Sequence, residues 1–490
     1  MIGIAVLILA LGVSEAEVQD DTTTERSKLV SELLQEATVA VGKIIEPDKR
    51  AGALLRLAST QARAGGLAAA RKLVQEAIRT AQALDASIEA KDLLLADAAA
   101  TQAGFGDLSD ALKTVQFLAE GRRNFSRNEI IEALSAKGEH KKAIEVCRTI
   151  EQRDLRGSIL CTIAASMAEK GELEQASLMV REIENAQERS LALLLMTLAR
   201  LEARDFESAK RLAATIEKPM LKLRWLYEFG MAQLRANQSD AARQTYLDAR
   251  QLEKAAKLSN PVFLISLQAR IGELREALAA AEALDDPLER DRTMKDIALW
   301  LADNRQTTEA IRLLAKIENE FEQAETRMKL AIRQAKNGEI DEGLRTAKTV
   351  LMPSFRSQAF REIARHQFAK DDRNGAKASL VEALKSANEL MPGGGTDIIV
   401  LREVAAAQAQ TADLDAARQT FQQALKKTEA YPDLSYQAEL IRQIAEAESL
   451  NGLSQDAKVW ALKLPSPEIR FGALIGVVDA QLALLASTKK

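Results

Sequence analysis

Side-chain chemistry needs nucleophiles, bases or soft ligands brought together, and this sequence holds few of them. Its only cysteines are Cys147 and Cys161, and its only histidines are His140 and His366. Neither pair has the spacing of a zinc site. Two buried free thiols are expected, with a single disulfide as the alternative. His366 stands in Arg365-His366-Gln367 with no Ser or Cys at a recognisable nucleophile elbow, and His140 sits beside a turn. There is no Gly-rich phosphate loop preceding a Lys and a Ser or Thr, and no HExxH. Gly393 to Gly395 is a plain loop, since no strand precedes it. The expectation is therefore a protein that is not an enzyme, with no catalytic residue, no cofactor and no metal.

What recurs instead is arginine. Arg361, Arg402 and Arg442 occupy one phase of three successive units, and Arg365 lies one helical turn after Arg361. Three guanidinium forks from stacked units could clamp a carboxylate or an acidic peptide, because the fork suits bidentate contacts. The competing expectation is local pairing with Glu362, Glu403, Glu439 and Glu446. A longer basic ladder runs through Arg50, Lys91, Arg123, Arg156, Arg189, Lys222, Lys257, Arg290 and Arg356, with Arg470 in phase; Gln323, Asp397 and Gln437 interrupt it. A cation at the start of a helix opposes the macrodipole, so each rung needs a partner. Glu151, Glu184, Glu217 and Asp285 each precede a rung by five residues, which predicts salt bridges between neighbouring units. A ligand-binding basic stripe is the other reading. Glutamines recur as well, at Gln61, Gln102, Gln233, Gln268, Gln334, Gln367, Gln408 and Gln481; buried amides must be hydrogen-bonded, so these are expected to tie helix ends together.

The elements that position these residues follow from a repeat. The chain has 490 residues, 47% of them hydrophobic and only 4% aromatic, with nine prolines. That is a helix-forming composition, too long for one compact core. A small residue recurs at Ala37, Ala70, Ala111, Ala143, Ala176, Ala209, Ala242, Ala277, Ala310, Gly343, Ala376, Ala417 and Ala457. The middle spacings are about 33 residues and those nearer the ends about 40, close to the period of helix-turn-helix repeats. Five residues ahead of this anchor stands Gly65, Gly106, Gly138, Gly171, Gly272, Gly338 or Gly452, suited to end a first helix in the left-handed conformation. Twelve ahead is a second small residue, such as Ala58, Ala99, Ala164, Ala298, Ala331 or Ala405. Apolar residues flank both. Small residues let the two helices approach, apolar ones fill the seam, and one hairpin cannot bury its face alone, so hairpins must stack.

These motifs resemble the tetratricopeptide signature W-x2-L-G-x2-Y…A-x3-F in softened form. Leu54-x2-Leu57-Ala58-x2-Gln61 and Phe360-x2-Ile363-Ala364-x2-Gln367 are two instances; Leu401-x2-Val404-Ala405-x2-Gln408 leads on to Ala417-x3-Phe421. Gln or an aliphatic residue replaces the aromatics, and the closing proline is mostly absent. The resemblance, over about residues 31 to 487, implies an all-α, right-handed superhelical solenoid (TPR-like) of about twelve helix pairs. It also implies a non-enzymatic scaffold that grips a peptide or protein along a concave groove lined by first helices, the phase of Arg361, Arg402 and Arg442. An all-α toroid enzyme and a helical-repeat RNA binder are the rivals. A formal net charge of −4 and a pI near 5.7 disfavour nucleic acid as a partner.

At the ends, Ser31 to Ile45 reads as a second helix without its first, and Arg470 to Leu485 as a first without its second; both are expected to serve as half-repeat caps. Met391 to Asp397 is a loop rather than a domain boundary. Ile2 to Val13 is an apolar run of twelve residues, too short for a stable membrane span. With Ser14-Glu15-Ala16 after it, residues 1–16 read as a signal peptide, 17–30 as a linker, and the chain as exported, periplasmic or extracellular; without that leader it would be cytoplasmic. Expressed in a bacterium from its native start, the protein should lose residues up to about Ala16. N-terminal sequencing of the mature chain checks this, and a chain still beginning at Met1 refutes it.

Overall fold

The computed structural model describes residues 15–85, 89–258, 262–391 and 394–488. The apolar run Ile2 to Val13 lies outside these residues, as do Pro392 and Gly393 of the glycine loop. Among the described residues every regular element is a helix.

The chain opens with α1 (Glu15–Gly42), α2 (Pro47–Arg63), α3 (Leu67–Gln82) and α4 (Glu89–Gly104). Then come α5 (Leu108–Val115), α6 (Glu120–Ala136), α7 (His140–Arg148), α8 (Arg153–Glu169) and α9 (Leu173–Val180). They are followed by α10 (Ala186–Glu202), α11 (Phe206–Ala214), α12 (Pro219–Arg235), α13 (Ser239–Ala255) and α14 (Val262–Arg270). Next are α15 (Leu274–Glu282), α16 (Pro287–Asp303), α17 (Thr307–Leu314), α18 (Glu320–Lys336) and α19 (Ile340–Lys348). The last stretch holds α20 (Pro353–Ala369), α21 (Arg373–Asn388), α22 (Thr396–Gln410) and α23 (Leu414–Thr428). It closes with α24 (Leu434–Leu450), α25 (Ser454–Lys463) and α26 (Pro467–Ser487). Two compact units result: one holds α5 to α19, the other joins α1–α4 to α20–α26.

Local chemistry sets the ends of these helices. Pro47, Pro219, Pro287, Pro353 and Pro467 each open a first helix, where the missing N–H costs nothing and φ is preset. Asn185, Asp286, Asn319, Asp433 and Ser466 cap first helices by accepting from backbone N–H groups one turn in. The seven turn glycines all have positive φ. Where glycine is missing at that phase, Arg204, Asn237, Arg305, Asp371 and Ala412 take the same left-handed conformation. The turn is thus imposed by the hairpin, and glycine only lowers its cost.

The anchor residues lie where two backbones meet. Twelve of them are alanines exposed by 0 to 1%. At the thirteenth, Gly343, an added Cβ would come within 2.8 Å of the Ala331 carbonyl oxygen, and Ala331 is the small residue twelve positions earlier. The two small positions therefore face each other across the hairpin. Leu57, Ile163, Ile297, Ile363, Val404 and Ile444, each one place ahead of the earlier small position, are wholly buried.

Helix length explains the two spacings. Second helices of the units about 33 residues apart are short, with 9, 8 and 9 residues in α7, α9 and α11. Those in the wider units are longer by about two turns, with 16, 16 and 15 in α3, α21 and α23.

The chain ends correct two expectations. Residues 17–30 are helical, part of the continuous α1, so they form no linker. The half-repeats are not separate caps: α26 packs against α1 and supplies the first helix that α1 lacks. In this unit the first helices α20, α22, α24, α26, α2 and α4 stack in succession, and α1 sits beside α26 as the second helix of a pair assembled from both ends. α26 alone among the described helices is long and apolar enough to cross a membrane, with a mean hydropathy of 1.7 over its most apolar window. Here Phe471, Leu474, Ile475, Val477 and Val478 are buried. Gly472 and Gly476 let it approach α24 closely, since a Cβ on Gly472 would lie 2.7 Å from the Ala438 carbonyl oxygen.

This packing predicts an asymmetry in α8. Ala164 is fully buried and Glu169 is exposed. Ala164→Leu should cost about 1–3 kcal/mol by overfilling the seam, while Glu169→Leu should cost well under about 1 kcal/mol. Thermal melts of the two variants check this, and equal midpoints refute it.

Candidate functional site

The recurrent polar residues fall into those that hold the repeats and those that face outward. The basic ladder holds them, in a way spacing alone did not reveal. Arg156 Nη1 donates to the Ile150 carbonyl at 2.9 Å, Arg189 Nη1 to Ile183 at 2.9 Å and Arg123 Nε to Leu118 at 3.1 Å. Lys91 Nζ reaches the Leu84 carbonyl at 3.0 Å, and Arg470 Nε reaches Leu464 at 2.8 Å. Whereas Arg50, Arg290 and Arg356 pair with Glu76, Glu318 and Glu389, these five rungs satisfy carbonyls left over at the C-terminus of the preceding second helix, where a cation is favoured by the dipole. Gln323 and Gln437 do the same without charge, donating to the Ile317 and Thr428 carbonyls at 2.9 and 3.0 Å. The expected carboxylate partners are displaced by one unit: Glu217 binds Arg189 of the preceding unit at 3.2 Å, and Glu184 pairs with Arg153 at 3.1 Å.

Three of the recurrent glutamines tie helices as expected, while the buried side-chain oxygens of Gln334 and Gln408 have no hydrogen-bond partner. Gln233 accepts from Thr245 Oγ1 at 2.7 Å, Gln367 from Ser379 Oγ at 2.6 Å, and Gln481 donates to Ser454 Oγ at 2.7 Å. The soft ligands are buried. Cys147 and Cys161 are free thiols, pushed up to about 11 by burial. His140 lies between Glu172 and Ser166, 3.1 Å from each. Among the described residues no three of His, Cys, Asp and Glu group as metal ligands.

Arg361, Arg402 and Arg442 do share one face of α20, α22 and α24, and each reaches the next first helix. Arg361 pairs with Glu403 at 2.5 Å, Arg402 hydrogen-bonds Gln443, and Arg442 lies 3.7 Å from Asp479 of α26. Arg442 also binds Glu439 at 2.7 Å and Glu446 at 2.8 Å. Arg365 binds Glu362 and donates to Gln410 at 3.1 Å. These guanidinium groups do not stand open as the clamp expectation has it. The Arg361 side chain is 7% exposed, and burial lowers its pKa despite the charge of Glu403.

One member of that row, Arg442, does face a cleft. Four stacked first helices, α24, α26, α2 and α4, enclose about 690 Å³ between them. Ala53, Leu55, Ala438 and Phe471 contribute its apolar surface. Its charged residues are Lys49, Arg56 and Arg442 against Asp97, Glu439 and Glu468, three of each sign. Arg56 bridges the chain ends to Glu439 at 2.9 Å, and Lys49 lies 3.8 Å from Glu468. Burial works against the Glu439 carboxylate, but hydrogen bonds from Arg442 and Gln443 and the charges of Arg442 and Arg56 hold it at about 2. It stays ionised as a fixed acceptor and is no proton donor at neutral pH. Nothing in the sequence pairs Arg56 with Glu439, because 383 positions separate them.

No family model matches the chain, and no curated protein does. Solved structures similar to it include a signal-transduction ATPase with a tetratricopeptide repeat sensor from Pyrococcus horikoshii, 9% identical. That match covers 86% of this chain and 72% of the other at a TM-score of 0.26. Another is the Cut9–Hcn1 hetero-tetramer of the APC/C, 13% identical, covering 99% of this chain and 93% of the other at a TM-score of 0.25. The helix hairpins themselves, with a buried small anchor and a left-handed turn in each, define the class. The chain is an all-helical repeat protein of tetratricopeptide-like architecture.

Behind the cleft, α24 carries a second unusual carboxyl. Glu448 is 3% exposed and accepts from Trp460 Nε1 at 2.8 Å. Burial pushes it up to about 7, aided by the charge of Asp456 and opposed by the Trp460 hydrogen bond and the charge of Arg418. An acid whose pKa rises on folding keeps its proton in the native state while the unfolded chain loses it. Stability should therefore fall as pH rises from the ordinary carboxyl value toward 7 and level off above it. Glu448→Gln should remove that loss, gaining up to about 3 kcal/mol above neutrality and little in acid. Melting midpoints across pH check this; a constant difference between variant and wild type refutes it.

Proposed function

We propose that this protein is a non-enzymatic interaction scaffold that holds a peptide or protein segment against its first helices, anchored in the cleft where the chain ends meet. The observation that carries this reading is the cleft itself, an apolar floor ringed by six charged side chains from four successive helices. Stacked repeats commonly use such surfaces for extended partners. The balanced charge favours a partner segment of mixed sign over a uniformly acidic one, and it disfavours RNA, which needs a basic surface. The ion-paired carboxylates and buried thiols support a role without covalent chemistry. The N-terminal apolar run supports export, so that the partner would be met outside the cytoplasm.

Ser59 is exposed and lines the cleft, whereas Lys72 is exposed on α3. A photo-crosslinking residue at Ser59 or Thr101 should trap the same protein, and one at Lys72 should not. Ser59→Trp, which fills the cleft without touching the core, should abolish co-purification of that protein while leaving helicity unchanged. Equal capture from Lys72, or unchanged recovery with Ser59→Trp, overturns the proposal.

A further inference from the structure

The unit built from α5 to α19 carries a separate groove, set between two of its short second helices. α9 ends at Val180 after eight residues and α11 at Ala214 after nine. Between them a groove of about 740 Å³ remains, with Leu193 of the intervening first helix α10 in its lining. Leu173 and Leu178 contribute from α9, and Leu212 from α11. Leu178 is 61% exposed, which is unusual for a leucine at the edge of a groove already lined by leucines.

The charges along this groove are not balanced by pairing. Arg189 is occupied by the Ile183 carbonyl and by Glu217. Arg181 makes no side-chain hydrogen bond or ion pair among the described residues, and Arg211 donates only to Ser208 Oγ, at 3.0 Å. Both arginines are exposed. Facing them is one carboxylate without an ion pair, Glu174. In a chain whose net charge is −4, an apolar groove that keeps two guanidinium groups out of ion pairs, with Glu174 the one unpaired carboxylate in the lining, is complementary to an acidic, apolar segment.

We infer that the groove between α9 and α11 docks a short amphipathic helix of a partner protein, with a leucine-type face against Leu173, Leu178 and Leu212 and acidic residues beside Arg181 and Arg211. A helix suits this groove better than an extended strand. Its walls are helices with internally satisfied backbones, so a strand laid there would leave its own N–H and C=O groups unpaired, whereas a helix satisfies them internally. Two flanking helices also present the ridges that a third packs against. This site lies on second helices and stands independently of the cleft proposed above.

The test uses the full chain and a fluorescent three-turn helix with a leucine face flanked by glutamates, together with its twin flanked by lysines. The acidic probe should bind at least about tenfold more tightly than the basic one, and less tightly as salt rises. Leu178→Asp and the pair Arg181→Glu, Arg211→Glu should each weaken it by at least about tenfold, with circular dichroism unchanged. Equal binding of the two probes, or binding indifferent to both sets of variants, overturns the inference. So does sedimentation of the wild type as a dimer that Leu178→Asp converts to monomer, because a second copy of the chain would then be the occupant.

Discussion

One contact recurs through this molecule: two helix backbones brought together over a pair of small side chains. Each anchor is a fully buried alanine or Gly343, and the residue twelve places earlier is Ala or Gly in nine units and Ile131, Thr197 or Ile265 in the other three; at Gly343 there is no room for a Cβ against Ala331. That approach sets the hairpin angle. The angle then requires a left-handed residue in the turn, supplied by glycine seven times and by Arg204, Asn237, Arg305, Asp371 or Ala412 elsewhere. The hairpin in turn leaves an apolar face that only a neighbouring hairpin can cover. Because the contact is small and repeated, the second helix is free to vary in length from unit to unit while the anchor contact is kept.

The polar residues serve the same stacking. Five ladder cations close off the preceding helix, and the arginines at the phase of Arg361 link one first helix to the next. Exposed pairs of this kind contribute about 0–1 kcal/mol each, so their effect is on register more than on stability. Arg361 is the exception in burial. Removing Glu403 would leave its guanidinium in a desolvated place with no carboxylate, a cost of a different order from that of a surface pair.

Where the chain ends meet, stacking and binding surface become one problem. α26 completes the pair that α1 begins, and the first-helix row runs on from α26 to α2. Ion pairs mark the join: Arg56 to Glu439, Lys458 to Glu32 and Arg63 to Asp479. The charges around the cleft are therefore partly the charges that hold the ends together. A partner bound there touches residues from both ends and would favour their association by simple linkage.

The sequence by itself determined the hairpin, its period, its turn residues and its buried seam, since all of these depend on residues a few turns apart. Alanines, glycines and apolar residues recur in step because each unit solves the same local packing problem. The shared phase of Arg361, Arg402 and Arg442 was legible for the same reason. Their partners were not, because a guanidinium reaches across to another helix, and several carboxylates lie within its radius. For Lys91, Arg123, Arg156, Arg189 and Arg470 of the ladder the acceptors include backbone carbonyls, which no side-chain spacing encodes. The pairing of α1 with α26 and the cleft at their junction were decided by tertiary structure alone. They join residues some four hundred positions apart, and no local pattern records such a contact. The physical reason is that terminal hairpins have uncovered apolar faces, and each end of this chain carries the surface that the other leaves bare.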